Sequence, residues 1–72
     1  MKLNYYPDTD SLYIELSPKA SVESIEISEG IVIDYDKDGN VVGIDIDNAG
    51  KKLDLKELVL SKLPFEQNKM IA

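Results

Sequence analysis

Asp34, Asp36 and Asp38 occupy alternate positions in the stretch DYDKDGN, followed by Gly39, Asn40, Val41 and, further on, Asp45. Alternating oxygen donors, a glycine that permits a sharp bend, a residue offering a carbonyl, a hydrophobic position and a closing acid are the components of an EF-hand calcium loop. In that reading Asp34, Asp36, Asp38, Asn40 and Asp45 would hold a divalent cation. The elements on either side decide whether they converge.

An EF-hand needs a helix on each flank. Here Ile31-Val32-Ile33 leads in and Val41-Val42-Gly43-Ile44 leads out, both β-branched with a period of two. Along a strand Asp34 and Asp36 stand roughly 6.8 Å apart, two residue rises. Calcium ligands converge to ~2.4 Å from one point. A hairpin accounts for the same residues and for their flanks, so calcium binding at the Asp34–Asp38 turn stands as the alternative reading.

Period-two patterning also organises the rest of the sheet. Leu3 to Tyr6 and Ser11 to Leu16 alternate around the turn-rich Pro7-Asp8-Thr9-Asp10, a hairpin signature. A four-residue loop sets Tyr5 against Leu12, Leu3 against Ile14, and Lys2 against Glu15. Pro18 breaks that strand, because proline cannot donate to a central ladder. Alternation resumes from Val22 to Ile27, and Ser28-Glu29-Gly30 predicts a turn with Gly30 in the left-handed slot. That turn sets Ile25 against Ile33 and Ile27 against Ile31. A two- or four-residue loop around Asp38-Gly39 then sets Tyr35 against Val42, Ile33 against Ile44 and Ile31 against Ile46. A three-residue loop shifts the parity and scatters the apolar residues, so it is rejected.

The resulting fold class is α+β: an antiparallel five-stranded β-meander over residues 2–47, followed by one C-terminal amphipathic helix at about 54–63 packed on one sheet face, in a single domain spanning 1–72. Asp54 and Glu57 supply a capping box, Leu55, Leu58, Val59 and Leu63 make one helical stripe, and Pro64 ends it, leaving a tail over 64–72. A ten-residue helix spans ~15 Å, less than five strands spaced ~4.8 Å apart. The uncovered apolar face predicts a homodimer.

The reverse face gathers Asp34, Asp36, Asp45, Asp47, Glu15 and Glu26 beside Tyr6, Tyr13 and several valines. Asp34, Asp36, Asp45, Asp47, Glu26 and Tyr13 are the expected partner-binding residues, the carboxylates attracting a basic protein partner and the aromatic surface anchoring it. A solvated outer face is the plainer account of the same residues. The net charge is −6 and arginine is absent, which argues against direct nucleic-acid binding. With no His, Cys or Arg and a flat face to work on, an enzyme is the third reading and no cofactor is implied. There is no cysteine for a disulfide and no run suited to a membrane or a signal peptide, so the expected location is the cytoplasm.

The residues Tyr5, Asp10-Ser11-Leu12-Tyr13-Ile14 and the run Gly30 to Ile46 resemble the small prokaryotic family called domain of unknown function 2283, over roughly residues 2 to 50. Tyr6 departs from the pattern, which commonly has an acidic residue there. The resemblance carries no established activity. Some members look like antitoxin-like partners encoded beside small toxins, so it implies a neutralising, protein-binding role as one expectation.

Overall fold

A computed structural model describes residues 1–56. Five strands form one antiparallel sheet: β1 (Lys2–Tyr6), β2 (Ser11–Glu15), β3 (Glu23–Ser28), β4 (Ile31–Tyr35) and β5 (Val41–Ile46). Among the described residues no helix is long and apolar enough to cross a membrane.

The strands are not ordered as a meander. Across the sheet they run β1-β2-β5-β4-β3, so β2 pairs with β5, Leu12 against Ile46 and Ile14 against Ile44. Hairpin signals are local and correctly join β1 to β2, β3 to β4 and β4 to β5. The connection after β2 is longer, carries Pro18 and delivers the chain to the far edge. This is a Greek-key arrangement. Its anchor is the Val42 carbonyl, which accepts from the Leu16 and Ser17 amides at 2.8 and 3.2 Å.

The β1–β2 register is the expected one: Lys2 opposes Glu15, Leu3 opposes Ile14 and Tyr5 opposes Leu12. Ile25 opposes Ile33, but a bulge between Glu26 and Ser28 places Ser28, not Ile27, against Ile31. Gly30 takes the left-handed conformation, with φ of 73°.

The rejected three-residue loop is the one that forms between β4 and β5. The Asp36 amide donates to the Asn40 carbonyl at 2.9 Å, and the Gly39 amide donates to the Asp36 carbonyl at 3.1 Å. Gly39 has φ of 83°. Tyr35 therefore opposes Val41, while Asp34 opposes Gly43. Val42 is the extra residue of a bulge, and that insertion restores the parity the loop removes. The isoleucines stay on one face after all.

One row of that face reads Leu3, Ile14, Ile44, Ile33 and Ile25 across all five strands. The next holds Tyr5, Leu12, Ile46 and Ile31. Leu12, Ile33, Val42 and Ile46 are buried. Leu3, Tyr5, Ile25 and Ile27, on the two outer strands, are exposed.

The helix differs from expectation. The described helix, α1 (Ala49–Lys52), is four residues long. Fully buried Ala49 packs with Leu12 and Ile46. Leu53 is already extended, and the Asp54 carboxylate accepts from the Lys56 amide at 3.0 Å. That is the bond an N-cap aspartate makes to the amide two residues on, as the capping reading of Asp54 expects. The remainder of the 54–63 helix, and the tail over 64–72, lie outside the described residues.

Asp10 holds α1 in place. Its backbone is left-handed, with φ of 52°, which aims its carbonyl at the Ala49 amide at 2.8 Å. Its carboxylate accepts from the Gly50 amide at 3.0 Å and the Tyr5 hydroxyl at 2.7 Å. Truncating Leu12, against which Ala49 and Ile46 pack, is expected to cost about 2–5 kcal/mol as Leu12→Ala. Urea unfolding measures this, and a loss below 1 kcal/mol would place the core elsewhere.

Candidate functional site

The face opposite the isoleucines carries two polar rows. One runs Asn4, Tyr13, Asp45, Val32 and Glu26; the other runs Lys2, Glu15, Gly43, Asp34 and Ser24. Of the six residues expected to meet a partner, Tyr13, Asp34, Asp45 and Glu26 share this surface. Asp47 continues it just past β5 and accepts from the Ser11 hydroxyl at 3.3 Å. Asp36 does not join them.

Asp36 is buried, at 5% exposure. Its Oδ1 accepts from the Asp38 and Asn40 amides, both at 2.9 Å, and its Oδ2 accepts from Asn40 Nδ2 at 3.4 Å. These bonds, led by the Asn40 amide, hold its carboxyl below the usual aspartate range against an opposing effect of burial. Asp36 is the internal tie of the β4–β5 loop.

The calcium set does not converge. Asp36 points its oxygens at amides, and Asp34 is engaged two strands from β2 by neutral hydroxyls. Among the described residues no three His, Cys, Asp or Glu side chains gather at ligand spacing. The oxygens that an EF-hand would turn toward a cation are here turned toward N–H and O–H donors.

The centre of the face is a bridge that the sequence reading missed. Tyr13 on β2 reaches across β5 and donates from Oη to Asp34 Oδ2 at 2.9 Å. Ser24 on β3 donates to Asp34 Oδ1 at 2.6 Å. Between them lies Gly43, buried. A Cβ there would overlap the Tyr13 hydroxyl and Cζ. Glycine in a strand interior weakens it unless something approaches closely; here the approaching group is the phenol ring. Three strands, β2, β3 and β4, are joined through one carboxylate, and the ring that reaches it crosses the fourth, β5. The bond to Asp34 pushes the Tyr13 phenol above its ordinary range, with desolvation and the charges of Asp34, Glu15 and Asp45 adding to it. Tyr13 therefore stays protonated as a donor. A glycine facing a tyrosine across the strand pairs was the available signal, but it requires knowing that β2 lies beside β5.

Asp45 carries the electrostatic cost. It sits between Tyr13 and Val32. Desolvation, then the charges of Asp47 and Asp34, push its carboxyl above the usual range. At the sheet end Lys52, also unassigned from sequence, donates from Nζ to the carbonyls of Asp47 at 2.7 Å and Glu29 at 3.0 Å. Glu26 folds back to accept from the Gly30 amide at 3.3 Å.

The fold and this face define a small antiparallel α+β protein with an acidic outer sheet surface and no assembled catalytic group among the described residues. Residues 2–49 match the family described as Protein of unknown function (DUF2283), and the chain belongs to that family. It is similar to an uncharacterized protein of Methanocaldococcus jannaschii, 32% identical over 68 residues, an alignment covering 92% of this chain and 58% of the relative. The chain thus spans somewhat over half the length of that relative. No solved structure matches it.

Adding a methyl beneath the ring as Gly43→Ala is expected to cost about 1–3 kcal/mol, the range for overpacking. In a Tyr13→Ala background the same change should cost much less, and equal costs in both backgrounds would refute the stacking. Stability against pH tests the two aspartates. The folded Asp36 carboxyl lies below its unfolded value, so its contribution is present above the unfolded aspartate pKa and is lost as pH falls through the folded one. Asp45 is raised, so its contribution is present in acid and disappears as pH rises through the folded value. Asp45→Asn should therefore raise the Tm at pH 7 with the gain vanishing near pH 3, whereas Asp36→Asn should lower it at pH 7. Reversal of either sign would contradict the assigned environments.

Proposed function

We propose that the chain is a protein-interaction module whose acidic sheet face receives a basic protein partner, with an antitoxin-like neutralising role as the specific form of that activity. The observation that carries this reading is the position of Asp45. It lies on an open strand face between Tyr13 and Val32, with Asp34 and Asp47 close enough to raise its pKa. A cationic side chain arriving there relieves repulsion already present in the free protein, while the ring and the valine offer apolar contact. Asp34 contributes charge but is committed to Tyr13 and Ser24, so it also keeps the ring in place. The chain is read as a binding protein and not an enzyme, since it has no His, Cys or Arg and, among the described residues, nothing on this face forms a nucleophile–base pair.

The probe is a short oligolysine peptide titrated into the full chain and followed by amide chemical shifts. Shifts are expected to centre on Tyr13, Val32 and Asp45 and to weaken as salt is raised from low to physiological levels. Asp45→Asn should reduce affinity roughly two- to fivefold, the ~0.5–1 kcal/mol of one surface ion pair. Binding that ignores both salt and Asp45 would contradict the proposal.

A further inference from the structure

The sheet has two outer strands, and they are chemically unlike. β1 carries Lys2 and no acid, whereas β3 lies within Ala20–Asp36, which holds Glu23, Glu26, Glu29, Asp34 and Asp36 and no lysine. All six β3 residues are exposed, including Ile25 and Ile27 at 44% and 59%.

The hydrogen-bond phase shows which backbone groups face outward. The Asp47 amide donates to the Gly30 carbonyl at 2.8 Å. In the shared register that bond makes Asp45–Val32 and Gly43–Asp34 the bonded pairs of β4 and β5, and leaves Ile33–Ile44 unbonded. The Leu16-to-Val42 bond, which gives Ile14–Ile44 as a bonded pair, agrees. Ile33 thus turns its amide and carbonyl toward Ile25. Ser24 and Glu26 then turn theirs away from the sheet, two donors and two acceptors on an open edge. The bulge at Ile27 ends this stretch.

We infer that the β3 edge pairs with an extended segment of the basic partner, adding a sixth strand. This deepens the proposed function and rests on it. An added strand placed against Ser24, Ile25 and Glu26 has one side over the isoleucine face and the other over Glu26, next to Asp34. The segment it fits alternates apolar and basic residues. Main-chain bonds to Ser24 and Glu26 supply the attachment, and the period of two supplies the selectivity. The lysine of β1 makes that edge the poorer match to the same segment.

The test uses two peptides of equal charge, acetyl-Lys-Val-Lys-Val-Lys-Val-amide and acetyl-Lys-Gly-Lys-Gly-Lys-Gly-amide, with the full chain. The valine peptide should slow hydrogen exchange of the Ser24 and Glu26 amides at least tenfold and bind more tightly than the glycine peptide. Ser24→Pro removes an outward amide and spares the ladder to β4, so it should abolish that preference while keeping the sheet. Ser24→Ala, which loses only the hydroxyl bond to Asp34, should retain it. If shifts gather at Tyr13 and Asp45 with Ser24 and Glu26 exchange unchanged, the edge pairing is overturned and the acidic-face reading survives. If Ser24→Pro binds the valine peptide as well as Ser24→Ala does, the edge pairing is likewise overturned. Failure of both peptides to bind overturns both.

Discussion

The side chain of Tyr13 crosses β5 over Gly43 and donates to Asp34 on β4, so a single ring spans three strands. A hydrogen bond to a carboxylate adds only about 1.5–3 kcal/mol, but its geometric demand is larger than its energy. The ring needs a strand beside β2 that offers no Cβ at the right position, and a carboxylate on the next strand over. Gly43 and Asp34, directly opposed in register, meet that demand. Other placements of β2 would leave the phenol without its acceptor and Gly43 as an uncompensated weakness in a central strand. The strand order and the bridge are therefore mutually dependent.

The same bridge determines how the acidic face behaves. Two hydroxyls occupy the oxygens of Asp34, so its acceptors are satisfied without any cation while its charge still acts on Asp45. Asp36 is removed from the surface by its loop amides. What remains available is Asp45, with Asp47 and the flank of the ring. A run of aspartates that looks uniform in the sequence has separated into a bridge acceptor, a turn tie and a half-buried, repelled charge. The chemistry of each follows from which donors its neighbours supply, not from spacing along the chain.

Much of the sheet was legible because alternation has a period of two and the turn residues are explicit. Leu3–Ile14, Tyr5–Leu12, Ile25–Ile33 and Ile33–Ile44 follow directly, as does left-handed Gly30. The order of strands did not follow, since the partner of β2 lies about thirty residues away and no local signal names it. The two bulges escaped for a related reason: an extra residue costs one ladder position but leaves the apolar pattern intact, so a three-residue loop plus bulge and a four-residue loop predict the same core. The helix expected from Asp54 onward was drawn from capping and stripe. Asp54 makes the expected bond to the Lys56 amide, whereas α1, five residues earlier, answers to Asp10, whose left-handed carbonyl and carboxylate collect the Ala49 and Gly50 amides. A positive φ at an aspartate cannot be seen in a list of residue types.

The most direct measurement of the central arrangement is the proton spectrum of Gly43. A phenol ring lying over its α-carbon predicts Gly43 α-protons displaced well upfield of those of Gly39, whose surroundings are open, with the displacement abolished by Tyr13→Leu. Gly43 α-protons at ordinary shifts in the native chain, or unchanged by that substitution, would contradict the ring's place over β5 and with it the account of both the strand order and the acidic face.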